Sequence, residues 1–147
     1  MLQFLLPKDL RCIIIKRLLE KYIGIDMEDL FNQYYCSKMQ LNEMISLGMH
    51  IGGHGANHLW QSNLTNKEQE SEVFESFSFL NTLNKQEFYT YSYPYGSYNT
   101  FSIELLKKYD FKFAFTTETD SFDSDKFSKY EIPRFDTKDT YPFNNLV

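Results

Sequence analysis

Gly48-Met49-His50-Ile51-Gly52-Gly53-His54-Gly55-Ala56-Asn57-His58 contains every histidine of the chain, three in all, spaced four and four. No other stretch concentrates metal-binding or acid–base groups so tightly. An apolar stripe of helical period (Leu41, Met44, Ile45, Leu47) precedes it, and Gly48 ends that stripe. Residues 49–52 therefore read as a short strand, with Gly53 and His54 at its end. Gly48, Gly52 and Gly53 argue against one continuous helix, so the three histidines do not form a helical ladder. In strand period, His50 shares a face with Gly52 and His54. It is either a neighbour of a site or a polar-layer histidine. His54 and His58, four apart on a tight loop, can face one way and hold one divalent ion between them. The alternative is a pair of structural, hydrogen-bonded imidazoles. The surrounding glycines leave open space for an ion or a substrate.

Outward from this stretch the chain alternates helices and strands. Upstream, a helix is expected over 7–22, where Leu10, Ile13, Ile14, Leu18 and Leu19 keep helical spacing and Pro7 suits the first turn. A short helix is expected over 27–34, and a third after Ser37 as N-cap. Downstream, Thr65 and Glu68 form a capping box for a helix to about residue 83, with Val73, Phe77 and Leu80 on its buried face. Residues 88–93 read as a strand closed by Pro94-Tyr95-Gly96-Ser97. A helix follows through Tyr109, then a strand over 111–117, a polar loop and a short segment over 130–136. This rhythm implies an α/β fold with parallel strands and crossover helices. Sites in such sheets gather at the carboxyl ends of strands. His54 and His58, residues 94–97 and residues 116–118 all fall at such ends.

At 147 residues the length suits a single domain, and a chain of that size buries about two-thirds of its unfolded surface. Aromatic residues make up 18%, mostly tyrosine and phenylalanine; most fill a core, and some suit a sugar site, where a ring stacks and a hydroxyl hydrogen-bonds. A net charge of −5 without a basic run argues against nucleic acid as a partner. Cys12 and Cys36 make no disulfide framework and no metal spacing, which fits a reducing compartment and a cytoplasmic protein. The early apolar runs are broken by Pro7, Lys8, Asp9 and Arg11. No signal peptide and no membrane span of ~20 apolar residues is expected.

The stretch from Gly48 to Thr65, GMHIGGHGANHLWQSNLT, resembles the second motif of the polysaccharide deacetylase family (carbohydrate esterase family 4). There a glycine turn leads into His-Ser/Thr-x-x-His, and Leu-Thr precedes a long helix. YSYPYGSYN, from Tyr91 to Asn99, is similar to the third motif, Arg-x-Pro-Tyr-Gly. KFAFTT and IPRFD resemble the strands that follow in shorter members. The likeness covers about 38–136. It implies a partial, open (β/α) barrel and metal-dependent removal of an N-acetyl group from a sugar or polysaccharide. In that picture His54 and His58 hold a divalent metal, zinc above all. The Tyr95 backbone N–H helps bind the oxyanion. Tyr93, Pro94, Gly96 and Trp60 are the candidate substrate contacts, and the partner is an N-acetylated carbohydrate.

The chain departs from the family pattern in four places. No strand ending in paired aspartates precedes the histidines. Gly55 replaces Ser or Thr. Ser92 stands where many members carry an arginine, a role Arg134 is expected to assume. No histidine follows His58. Three readings are ranked accordingly: the carboxyl-terminal part of a deacetylase whose first strand is encoded elsewhere or lost; a catalytically dead, sugar-binding relative; and a non-enzymatic interaction domain with structural histidines. About four strands are expected, with an open edge through which the chain self-associates.

Overall fold

A computed structural model describes residues 6–24 and 27–137. The chain divides into two compact units, residues 1–43 and 44–147. The first holds α1 (Lys8–Tyr22) and α2 (Met27–Tyr34), and α3 (Lys38–Ser46) runs from it into the second. Ser37 caps α3 as expected: its hydroxyl accepts from Gln40 N–H at 3.3 Å, and the Gln40 side chain reaches back to Ser37 N–H at 2.8 Å. Cys12 and Cys36 are exposed and unpaired. No helix among the described residues is long and apolar enough to cross a membrane.

In the second unit α4 (Asn66–Leu80) leads to β1 (Tyr89–Ser92), then α5 (Thr100–Lys108) and β2 (Phe111–Phe115). The Thr65–Glu68 capping box is present, and Asn99 caps α5 in the same reciprocal way with Ser102. Each box satisfies two backbone donors that a helix start leaves orphaned. β1 and β2 pair in parallel, Tyr91 opposite Ala114, with α5 as the crossover. The order predicted from the sequence is therefore present, but the sheet is smaller than expected. Of the two other expected strands, the first makes a single parallel bridge just past its end, Gly53 to Tyr91, and the segment at 130–136 makes one, Phe115 to Ile132. Among the described residues the result is an open two-stranded parallel sheet, not four full strands or a barrel. The glycines allow the close approach, since a Cβ at Gly52 would lie 2.6 Å from Thr90 Oγ1 and one at Gly53 2.8 Å from Ser76 Oγ, but they cost more backbone entropy to order.

The core lies between this sheet and the two helices. Val73 and Leu80 from α4, Leu105 and Leu106 from α5, and Tyr91, Phe111 and Ala114 from the strands are buried. Phe77 meets the ring of Tyr109 at 5.3 Å and that of Phe111 at 6.1 Å. One polar link crosses the helix pair: Ser102 Oγ donates to buried Gln69 Oε1 at 2.8 Å, and Gln69 Nε2 donates to the Leu64 carbonyl at 3.2 Å. Such a satisfied link orients α4 on α5 without leaving a desolvated group unpaired. The carboxyl end of this layer is where residues 53–60 and 93–97 converge.

Candidate active site

Gly53 is the last sheet-paired residue of its segment. Its N–H donates to the Thr90 carbonyl at 2.8 Å and its carbonyl accepts from Ser92 N–H at 2.9 Å. The chain then leaves the sheet in a loop with left-handed backbone at Gly55 (φ 72°) and His58 (φ 54°). Gly55 is required here twice over. Its φ is one side chains rarely adopt, and a Cβ would lie 3.2 Å from Glu72 Oε2 and 3.3 Å from Pro94 Cγ. The departure from the family's Ser or Thr is thus a feature of this loop's close packing.

Three groups hold the loop from beneath. His54 Nδ1 lies 2.7 Å from the Ser92 carbonyl, which can only accept, so Nδ1 carries the proton and Nε2 presents the ring's lone pair. Backing of this kind orients an imidazole as a metal ligand. Buried Glu72 accepts from Ala56 N–H, Asn57 N–H and Asn57 Nδ2 at 3.1, 2.8 and 2.5 Å. The Tyr91 hydroxyl accepts from Gln61 Nε2 at 2.6 Å, and burial first, then the Glu72 carboxylate, pushes the phenol well above its usual range.

Above this floor the rings form a row. His54 and His58 meet edge-to-face at 4.7 Å, His58 meets Tyr95 at 4.5 Å, and Tyr95 stacks on Trp60 at 4.3 Å with 4° between the planes. Tyr95 reaches this position because its backbone is left-handed (φ 58°, ψ 12°) within the Pro94–Gly96 turn. For a non-glycine residue that conformation costs about 1–3 kcal/mol. Ring packing against His58 and Trp60 offsets it, and backbone strain of this kind clusters at functional sites.

Tyr93 does not stand in the row. It is 1% exposed, its ring stacks on Tyr98, and its hydroxyl donates to the Tyr130 carbonyl at 3.1 Å. The Tyr93 ring thus occupies a core position in this structure, apart from the row. Pro94 is also buried, beneath the loop at Gly55. Gly96 packs so closely on Thr117 that a Cβ would fall 2.0 Å from Oγ1. These two shape the turn, and Trp60 and Tyr95 present its surface.

Arg134 joins the histidines. An open cavity of about 380 Å³ is lined by His50, Gly52, Gly53, His54, Thr90, Ser92 and Arg134. Arg134 Nε donates to the Thr116 carbonyl at 3.0 Å and the guanidinium lies over Phe115. His50 enters the same cavity, its Nε2 3.0 Å from Thr90 Oγ1 and its ring stacked on Phe88; partial burial lowers its pKa. Sequence reasoning passed over Glu72 and Gln61. A signal for Glu72 was present: a carboxylate on the same stripe as Gln69, Val73, Ser76 and Leu80, a face otherwise reserved for burial.

A family model described as polysaccharide deacetylase matches residues 13–114. The chain belongs to the polysaccharide deacetylase family. Over 87 residues it is 29% identical to a Bacillus subtilis (strain 168) protein named polysaccharide deacetylase YxkH, across 59% of this chain and 31% of that one. The solved Streptococcus pyogenes deacetylase PplD, in complex with acetate, matches with a TM-score of 0.60 at 23% identity, over 67% of this chain and 43% of that one. The polysaccharide deacetylase BA0330 from Bacillus anthracis matches with a TM-score of 0.56 at 25% identity, over 67% and 31%. The chain thus spans less than half the length of each of these deacetylase relatives.

For a family whose members typically depend on a metal, the donor set of this polysaccharide deacetylase segment fits in part. Two adjacent imidazoles, one with its tautomer set for Nε2 ligation, are what zinc takes from protein. Among the described residues no third His, Cys, Asp or Glu completes a group of three. A tetrahedral zinc shell takes four donors, two more than the histidine pair offers.

Proposed function

We propose that this chain carries the histidine half of a metal-dependent N-deacetylase site acting on an N-acetylated sugar or polysaccharide. The observation that carries the reading is the His54–His58 ring pair, backed by the Ser92 carbonyl and flanked by the Pro94–Gly96 turn, in a member of this family. His54 and His58 would hold a divalent ion, zinc above all. When bound, such an ion polarises the acetyl carbonyl and acidifies a bound water. The Tyr95 backbone N–H donates to the oxyanion, a contact typically worth ~2.7–4 kcal/mol in the transition state. Trp60 and Tyr95 give the sugar ring a flat apolar wall. Arg134 supplies the positive charge that Ser92 lacks, since both line one cavity with His54.

The test is acetate release from N-acetylglucosamine oligomers with added zinc, by the wild type and by Arg134→Ala. Zinc-dependent release that drops at least about tenfold in the variant supports both the reaction and the arginine's part in it. No release at any zinc concentration removes catalysis by the chain alone.

A second reading rests on the absence, among the described residues, of any group of three His, Cys, Asp or Glu placed to hold a metal. On this reading the chain binds the N-acetylated sugar on the Trp60–Tyr95 face without turning it over. Saturable oligosaccharide binding with no acetate release selects it. We further propose self-association through the sheet edge at Gly52, whose partner strand is reduced to one bridge. Sedimentation velocity should then show a concentration-dependent dimer; a single monomeric species up to high concentration contradicts it. Two exposed, unpaired cysteines support a reducing, cytoplasmic setting.

A further inference from the structure

We infer that Glu72 is a positioning residue for the histidine pair, setting the distance between His54 and His58 through the loop that joins them. The inference rests on the metal half-site proposed above. The two imidazoles are separated in sequence by Gly55, Ala56 and Asn57. Glu72 takes both consecutive backbone N–H groups at Ala56 and Asn57, and the Asn57 side-chain amide, with one carboxylate. The carboxylate comes from the middle of α4, a capped helix, beside fully buried Val73. It is 4% exposed, so no water competes strongly for its oxygens. The loop is thereby tied to a rigid element at its centre, while the Ser92 carbonyl holds it at His54. Both ties are needed for a defined ring pair. His58 adopts a left-handed backbone that an untethered loop would not keep.

The contact geometry sets what a substitute must do. Leucine at position 72 packs but accepts nothing, leaving two backbone donors orphaned. Aspartate keeps the charge and falls one methylene short. Glutamine keeps one oxygen for the backbone donors, and the Asn57 amide can rotate to offer its own oxygen to the new NH₂ group. The order of function is therefore Glu, then Gln, with Asp and Leu far behind.

The experiment has two readouts on purified protein. One is the NOE between the His54 and His58 rings, which needs no metal. The other is a calorimetric titration with zinc chloride. Wild type shows the ring–ring NOE and binds zinc; Glu72→Leu loses the NOE and binds zinc about 10–100-fold more weakly, as for outer-shell partners of metal ligands. Glu72→Gln stays close to wild type. Val73→Ala, on the same helix and equally buried, lowers stability but leaves NOE and affinity intact, which separates positioning from a general loss of structure. If Glu72→Leu fails to fold, Glu72→Asp replaces it with the same expectation. Wild-type affinity and NOE in the folded Leu or Asp variant overturn the role of Glu72. A wild type that shows the NOE but no zinc binding sinks the metal reading alone, and the NOE series still decides the positioning role.

Discussion

Replacing His54 with alanine should remove most of the zinc response expected of the proposed site. In the proposed metal site the ring is one of two imidazole donors, so its loss would remove half of the donors the pair offers. The affinity cost should exceed the ~10–100-fold of an outer-shell change. Linkage turns this into a thermal measurement. Zinc at ~100 times its dissociation constant stabilises by about 2.7 kcal/mol, whereas a 100-fold weaker site gains only ~0.4 kcal/mol at the same concentration. For a unit of about 100 residues the difference is roughly 10 °C in melting temperature. The metal-free variant should melt close to the wild type, because His54 is exposed and gives up only one hydrogen bond, worth about 0.5–1.5 kcal/mol. An unchanged zinc-induced shift in His54→Ala would place the ion elsewhere.

The second large effect lies in the core. Phe111→Ala should destabilise the protein by about 3–5 kcal/mol. The ring is 0% exposed and meets Phe77, Tyr89 and Tyr91 at 6.1, 6.3 and 5.5 Å. Small domains have only ~5–15 kcal/mol in total, so a large share is lost. Urea denaturation should show a lower midpoint with an unchanged slope. Tyr91 couples the loss to the site, because its ring packs on Phe111 and its hydroxyl reaches Gln61 beneath the histidine loop. A loss below about 1 kcal/mol would mean that the neighbouring rings close over the gap, against the cavity cost expected in a packed core.

The helices were legible because their signals are local. Ser37 and Thr65 announce helix starts through side chains that reach only three residues along, and both are caps. The histidine stretch was legible as a loop after a sheet segment, because glycine and left-handed turns leave a mark in composition. Sheet extent was not legible. How far the segment at 49–53 pairs depends on a partner strand that no local pattern encodes, and in this segment only Gly53 pairs. The tyrosines divide for a similar reason. Tyr91 and Tyr93 follow the strand period into the core, and that period would carry Tyr95 the same way. The left-handed step at Tyr95 instead turns its ring toward His58 and Trp60, and nothing in the alternation predicts it. Glu72 was readable only as an anomaly, a charge on a buried stripe, whose meaning depends on a loop fifteen residues away.

Trp60 is the chain's one tryptophan, and it lies flat on Tyr95, whose other neighbour in the row is the His58 ring. The near-ultraviolet emission of this protein therefore comes from an indole two rings removed from a candidate ligand. A cation drawn to His58 would act on that fluorophore through the Tyr95 ring, and a sugar laid against the stack would change its surroundings directly. The site carries its own optical gauge, and a spectrofluorimeter with unlabelled protein is enough to follow its occupancy.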